Sequence, residues 1–257
     1  MLKASRSRKK IVHTRMRSVV AGLLAMLLMA CQNAATPAPS LSATPIAFVP
    51  LDVLLKSAAA SQGDVTTAGY LVADSAGATL VDGLSFAADG TAHLLDNPNQ
   101  IWLGPGIETS IKAQLRAVGG LQFAPVRTHG RLEGPGAYGP RRRYRYQING
   151  PSIEVIAAQE TTIGDLLDHS AGYENRLVRL VGSLIAGDSS ALLVDQLGDG
   201  GLPSPKARQI KLHAPLQDRA LLGRLKGVSG TIRFGRVQVE GFWHAGALIP
   251  LSIVLVT

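Results

Sequence analysis

Apolar and β-branched residues recur along the chain in short runs. Glycine, proline and acidic turn residues break the runs, and within them apolar positions alternate with polar ones as in half-buried strands. Past residue 45 the pattern predicts a short helix over residues 51–61, then strands over 65–73, 78–82 and 100–103. Helical spacing follows over 107–117, and two closing strands over 126–132 and 144–148. The same grammar then returns. A helix is expected over 163–171, with Thr161 or Thr162 placed to cap it, followed by strands over 177–186, 191–195 and 209–212. A helix over 216–225 and strands over 227–232 and 237–242 complete the second unit.

The recurrence extends to identities. Set at a constant offset of 113, residues 65–84 and 178–197 share nine of twenty positions without a gap. The matches include Gly69 with Gly182, Leu71 with Leu184, and Leu80-Val81-Asp82 with Leu193-Val194-Asp195. Upstream, Leu54, Ser57 and Ala58 match Leu167, Ser170 and Ala171. Downstream, Gln100-Ile101-Trp102-Leu103 parallels Gln209-Ile210-Lys211-Leu212, and Arg145-Tyr146-Gln147-Ile148 parallels Arg236-Val237-Gln238-Val239. Preserved order points to a duplicated domain. In each copy the central glycine suits a strand that bends sharply, and the closing aspartate suits a turn cap bonded to backbone amides.

Val-x-x-x-Gly in a first strand, Leu-Val-Asp at the end of a second and a short strand such as Gln-Ile-Lys-Leu resemble the bacterial OB-fold domains of periplasmic proteins and nucleic-acid-binding barrels. Three strands, a helix and two strands is also the order of that fold. The expected architecture is therefore mainly β: two tandem five-stranded OB-type barrels, each with short helices, over residues 46–156 and 157–257.

The first 45 residues obey another logic. Seven basic residues and no acids lie within 1–30, and an apolar run of about eleven residues starts at Val19, short of the roughly 20 that a membrane-crossing helix needs. That order fits a signal peptide. Leu28-Met29-Ala30-Cys31 resembles the lipobox of bacterial lipoproteins, which implies diacylglyceryl transfer to Cys31 and cleavage before it. The expected location is outside the cytoplasm, lipid-anchored to the outer face of the cytoplasmic membrane or to the outer membrane. Small residues and three prolines over 32–45 read as a flexible tether.

Charge and chemistry narrow the function. The chain carries a formal charge of +8, but without residues 1–30 only 19 Lys+Arg face 18 Asp+Glu. Such a balance argues against nucleic acid as the main partner. Cys31 is the one cysteine, so no intramolecular disulfide or thiolate cluster can form. His93, His129, His169, His213 and His244 offer no helical metal pair, and no Gly-x-Ser-x-Gly elbow occurs. Gly134-Pro-Gly136-Ala-Tyr-Gly139 spells a dinucleotide-binding string, but Pro135 removes a donor and a strand, not a helix, is expected after it. Trp102 and Trp243 read as core or barrel-end residues.

No catalytic, metal or cofactor set emerges, and the expectation is a non-enzymatic binding or scaffold module. Its candidate site is the loop joining the last two strands of the first copy. Tyr138, Arg141, Arg142, Arg143, Tyr144, Arg145 and Tyr146 gather there, suited to an anionic envelope polymer, a glycan or a headgroup. The corresponding connection in the second copy is expected to close tightly through Arg233-Phe234-Gly235-Arg236. Docking of an envelope protein is the alternative, and single-stranded nucleic acid a second one by OB-fold analogy.

Replacing Cys31 with Ser is expected to move the protein out of the membrane fraction and to remove acyl groups from its mature N-terminus. Unchanged fractionation of C31S refutes the anchor.

Overall fold

Most strands expected from β-branched and alternating residues form, others form where none was expected, and the fold is mainly β. A computed structural model of the chain describes residues 46–57, 63–229 and 231–256. The leader, Cys31 and the tether lie outside the described residues. From Ile46 onward the described chain forms one compact unit.

The first half begins with β1 (Val49–Pro50) and α1 (Leu51–Ser57). It continues with β2 (Gly63–Asp74), β3 (Gly77–Val81), the hairpin β4 (Leu84–Phe86) and β5 (Ala92–Leu94), and β6 (Gln100–Gly104). After α2 (Thr109–Lys112) come β7 (Arg116–Val118), β8 (Leu121–Glu133) and β9 (Gln147–Val155). Strands β2, β3, β6, β9 and β8 close into a five-stranded barrel. Closure occurs where β6 meets β9 in parallel at Trp102 and Gln147, and where β8 returns to β2 along eleven consecutive pairs from Gly63–Leu132 to Ala73–Gln122. Leu71, Leu80, Ile101, Val126 and Ile148 fill this barrel, and α1 plugs it with Leu51 and Leu54.

The second half runs through β10 (Gln159–Glu160), α3 (Ile163–Asp168), α4 (Ser170–Tyr173), β11 (Leu177–Ala186), β12 (Ala191–Val194) and β13 (Gln209–Lys211). It ends with α5 (Arg219–Arg224), β14 (Lys226–Ser229), β15 (Ile232–His244) and β16 (Ala247–Leu255). Thr162 caps α3, its side chain accepting a bond from the Asp165 amide at 3.0 Å. The sheet here is ordered β13-β12-β11-β15-β16 and then continues into β4 and β5 of the first half, so it is not closed. Its edge meets β16 only at an isolated bridge, Leu212 to Leu248.

Several sequence expectations need correction. Of the helix expected over 107–117, only Thr109–Lys112 is helical, and Arg116–Val118 is a strand. Gly119 and Gly120, at φ 59° and 84°, supply the left-handed turn of a β7–β8 hairpin, which takes those residues from the helix. The helix expected from Leu216 starts at Arg219, where the Asp218 carboxylate accepts the Leu221 amide at 2.9 Å. The strand expected over 144–148 starts at Gln147 and continues to Val155. Residues 237–242 do not close the second half: they belong to β15, and β16, on which no element was expected, follows it. Val126 opposite Gly69 corresponds to Val237 opposite Gly182, so β15 answers to β8. The likeness of Arg145–Ile148 to Arg236–Val239 therefore matched the last strand of one half to the penultimate strand of the other. Alternation recurs in every half-buried strand, and it cannot say which strand it is in.

At both central glycines neighbours approach closely. A Cβ on Gly69 would lie 2.4 Å from the Val81 carbonyl oxygen, and one on Gly182 would lie 2.9 Å from both Ile163 Cδ1 and Leu193 Cγ. Asp82 and Asp195 bond backbone amides as expected, but across neighbouring strands and not within a turn: the amides of Asn99 and Arg208, beside the ends of β6 and β13, donate to them at 3.2 and 2.9 Å.

The halves are joined by a shared core and a buried charge. Phe48, Tyr70, Leu84 and Phe123 pack with Leu177, Phe242 and Leu251. Among them Glu240, 3% exposed, receives the Tyr70 hydroxyl at 2.8 Å and the Arg179 guanidinium through Nε at 3.0 Å. Arg116 approaches the same carboxylate at 3.7 Å. Burial, and then the charge of Glu240, push the Tyr70 phenol well above its ordinary pKa. Replacing Glu240 with Ala leaves Arg179 with only Glu160, at 2.7 Å, and Tyr70 with only the Ser252 hydroxyl, at 3.1 Å. The expected loss is about 3 kcal/mol, at the low end for a broken buried pair because Arg179 keeps partial access to water. A urea midpoint unchanged in E240A refutes this account of the junction.

Candidate functional site

The connection between β8 and β9 is built as a folded arm. At its base the Glu133 carboxylate accepts Gln147 Nε2 at 2.6 Å and Asn149 Nδ2 at 3.2 Å. These two bonds, Gln147 first, hold the Glu133 carboxyl below its ordinary pKa. The strands then continue as a narrow ladder: Gly136 N donates to Arg145 O at 2.7 Å, and Tyr138 and Tyr144 exchange backbone bonds of 2.8 and 3.2 Å. Residues Pro140–Arg142 turn the tip tightly, with Arg142 N bonding back to Gly139 O at 3.1 Å.

Glycine makes room for rings in this arm. A Cβ on Gly136 would lie 2.6 Å from the Tyr138 ring, and one on Gly134 would lie 2.6 Å from the Tyr146 ring. Gly139, at φ 66°, brings the tip onto Tyr144 and Trp102. Tyr144 is buried and stacks on Trp102 with ring centres 5.2 Å apart and planes at 26°. Its hydroxyl accepts the Thr79 hydroxyl at 3.0 Å. Because Leu80, Ile101 and Leu103 point into the barrel, their neighbours Thr79 and Trp102 lie on the outer face of β3 and β6. The arm folds over that face.

The structure thus divides the residues singled out from the sequence. Tyr144 faces the barrel, and Tyr138 and Tyr146 are half-buried along the arm. Arg141, Arg142, Arg143 and Arg145 are exposed. Among the described residues no carboxylate lies within ion-pair distance of these four. Arg143 is braced by Tyr144, its guanidinium carbon 5.9 Å from the ring centre. Arg141 and Arg142 sit in the left-handed region at φ 54° and 58°, which costs about 1–2 kcal/mol per residue and persists only where the surroundings dictate the backbone. Here the dictating groups are the Tyr144–Trp102 stack and the ladder. Sequence reasoning put Trp102 in the core or at a barrel end and missed it as the platform under the arm. The signal was Gly77, whose hydrogen in place of a side chain leaves space for the Trp102 ring edge, 2.3 Å from where a Cβ would stand.

The second half has no such arm. Arg233, Phe234, Gly235 and Arg236 do not form its last connection, since they lie within β15. The turn is instead Ala245-Gly246, two residues at φ 50° and 77° between β15 and β16. The histidines are dispersed: His129 meets Thr66, His169 meets Asp165, His213 meets Asp52 and His244 meets Asn175. Among the described residues no group of three or more His, Cys, Asp or Glu is arranged to hold a metal. Trp243 is buried in the second-half core.

Comparison with protein-family models, with curated proteins and with solved structures returns no match to this chain.

Replacing Tyr144 with Ala is expected to cost about 3 kcal/mol, as for a buried aromatic truncated to alanine. It should also shift the emission of Trp102 to the red, with Trp243 remaining buried. An unshifted spectrum in Y144A refutes the stack as the anchor of the arm.

Proposed function

We propose that the mature protein is a non-enzymatic, membrane-tethered binding module outside the cytoplasm, and that the arm of the first barrel is its anion-recognising element. The observation that carries this reading is the set of four exposed guanidinium groups without carboxylate partners, held on a braced arm. Arginine forks pair bidentately with phosphate or carboxylate, and an arm already folded loses little freedom on binding. The half-buried rings of Tyr138 and Tyr146 add surfaces for a sugar.

The OB-type assignment supports the same placement. The barrel order β2-β3-β6-β9-β8 corresponds to strands one, two, three, five and four of an OB-fold. The arm then occupies the position between the fourth and fifth strands, and it folds over the second and third, the regions OB-folds use for ligands. The second half follows the same order through β11, β12, β13, β16 and β15, with the Leu212–Leu248 bridge at the place of closure. We read it as a second OB-type unit without a ligand arm. Lipidation at Cys31 would present the module at the envelope, where phosphate-rich polymers and headgroups are the abundant anions.

The test replaces Arg141, Arg142 and Arg143 together with Ser and measures binding to teichoic-acid-type polymer, anionic lipid vesicles, neutral oligosaccharide and single-stranded DNA at several salt concentrations. The unsubstituted chain is expected to bind an anionic envelope component in a salt-dependent manner. The triple variant should bind at least about tenfold more weakly at low salt, with a flatter salt dependence. Equal binding by the variant, binding only to DNA, or no binding by the unsubstituted chain overturns the proposal.

A further inference from the structure

A cleft of about 500 Å³ opens at the seam between the halves, away from the arginine arm and within the size range of small-molecule sites. Phe48 and Leu84 of the first half and Leu251 of the second form its apolar walls, each nearly fully buried. Leu216 stands half-buried in its lining.

Three carboxylates line the cleft and differ in their partners: Asp218 caps α5 by accepting the Leu221 amide at 2.9 Å, and the other two face different neighbours. Asp52 is matched, with Lys56 Nζ at 3.0 Å and His213 Nε2 at 3.3 Å. Asp82 is not: it accepts the Asn99 amide at 3.2 Å and Asn99 Nδ2 at 2.6 Å, both neutral donors. Among the described residues no Lys, Arg or His lies within ion-pair distance of it. Burial pushes its carboxyl above the ordinary value, against the pull of the Asn99 bonds.

The second half shows what the same bracket looks like when supplied with a cation. Asp82 N bonds to Asn99 O and Asn99 N returns a bond to the Asp82 carboxylate; Asp195 N bonds to Arg208 O and Arg208 N returns one to the Asp195 carboxylate. The backbone pattern is identical, but the bracketing residue is Arg208 in one half and neutral Asn99 in the other. The Arg208 guanidinium pairs with Asp168 and also feels the charge of Asp195. In the first half the position that would carry that charge is vacated by the shorter side chain, and the carboxylate borders an apolar-walled cleft instead.

We propose that this cleft is a second ligand site, for a small amphiphile with one protonated amine, whose ammonium group pairs with Asp82 while its apolar body lies between Phe48, Leu84 and Leu251. Charge complementarity selects the head. A half-buried carboxylate with only neutral donors gains most from a cation that arrives with its own apolar cover, because desolvation then strengthens the pair. An anionic amphiphile would meet Asp82 and Asp218 and is disfavoured by them, since Lys56 and His213, the cations of the lining, are already engaged by Asp52.

Octylammonium, octanol and octanoate share one chain and differ in the head. Titrated calorimetrically into the purified full chain, octylammonium is expected to bind one per chain, at least about tenfold more tightly than octanol, with octanoate weakest. Asp82→Asn and Asn99→Arg should each bring octylammonium down to the affinity of octanol in the same variant, with measurable octanol binding reporting an intact cleft. Leu216→Trp should weaken both octylammonium and octanol. The proposal is overturned if octylammonium binds no more tightly than octanol. It is also overturned if its advantage survives both Asp82→Asn and Asn99→Arg, or if that advantage is lost only in Asp52→Asn. None of these outcomes depends on Arg141–Arg143, so this site and the arm stand or fall separately.

Discussion

Glu240 sits on β15 between Val239 and Gly241, and the strand cannot place Phe242 and Trp243 in the core without taking that carboxylate out of water as well. An uncompensated buried carboxylate costs several kcal/mol, so the fold must bring donors to it. Arg179 comes from the neighbouring β11, but Tyr70 and Arg116 come from the first half. Separating the halves would remove the Tyr70 bond and expose Phe48, Phe123, Leu177 and Leu251 at once. The seam is therefore a fixed part of the fold, and the cleft beside it is a shaped cavity whose walls cannot drift apart independently.

Much of this was legible in the chain because strand runs advertise themselves by composition. Residues 177–186 were expected as a strand and form one with the same bounds. Residue type narrowed the cap to Thr161 or Thr162, and Thr162 takes the role. The final strand was not, and Pro250 explains why. A proline inside an apolar run argues against a central strand, since it cannot donate to the ladder. Here the register slips between Glu240, opposite Ser252, and Gly241, opposite Pro250. The extra residue, Leu251, forms a bulge, and the proline sits beside it where no ladder bond is owed. A local irregularity in pairing thus hid a whole strand, and with it the correct correspondence between the halves.

The arm was legible as a charge run and illegible as a shape. That Arg141, Arg142 and Arg143 are exposed follows from their cost of burial. Which tyrosine turns inward depends on Gly77 and Gly139 leaving space around Trp102, a fact spread over three segments. The cleft was beyond reach for a stronger version of the same reason. Its charged and polar lining includes residues 52, 56, 82, 99, 213 and 218, which only the packing of the two halves brings together. Sequence alone does report one element of it: the repeat aligns Asp82 with Asp195, and the residue before the following Gln-Ile is Asn99 in one copy and Arg208 in the other.

One strand runs beneath the arm and ends at the cleft. Thr79 of β3 holds the Tyr144 hydroxyl beneath the arm, and Asp82, just past the end of β3, borders the cleft. Three residues of extended chain separate them by about 10 Å, a little more than the Debye length at physiological salt. No ion pair joins the arginines of the arm to that carboxylate among the described residues. Each keeps its charge available for a ligand of opposite sign. A single ligand satisfying both would need an anionic end for the arm and a cationic end for the cleft. Two separate ligands is the simpler use of this geometry, with β3 the rigid element that holds both sites in place.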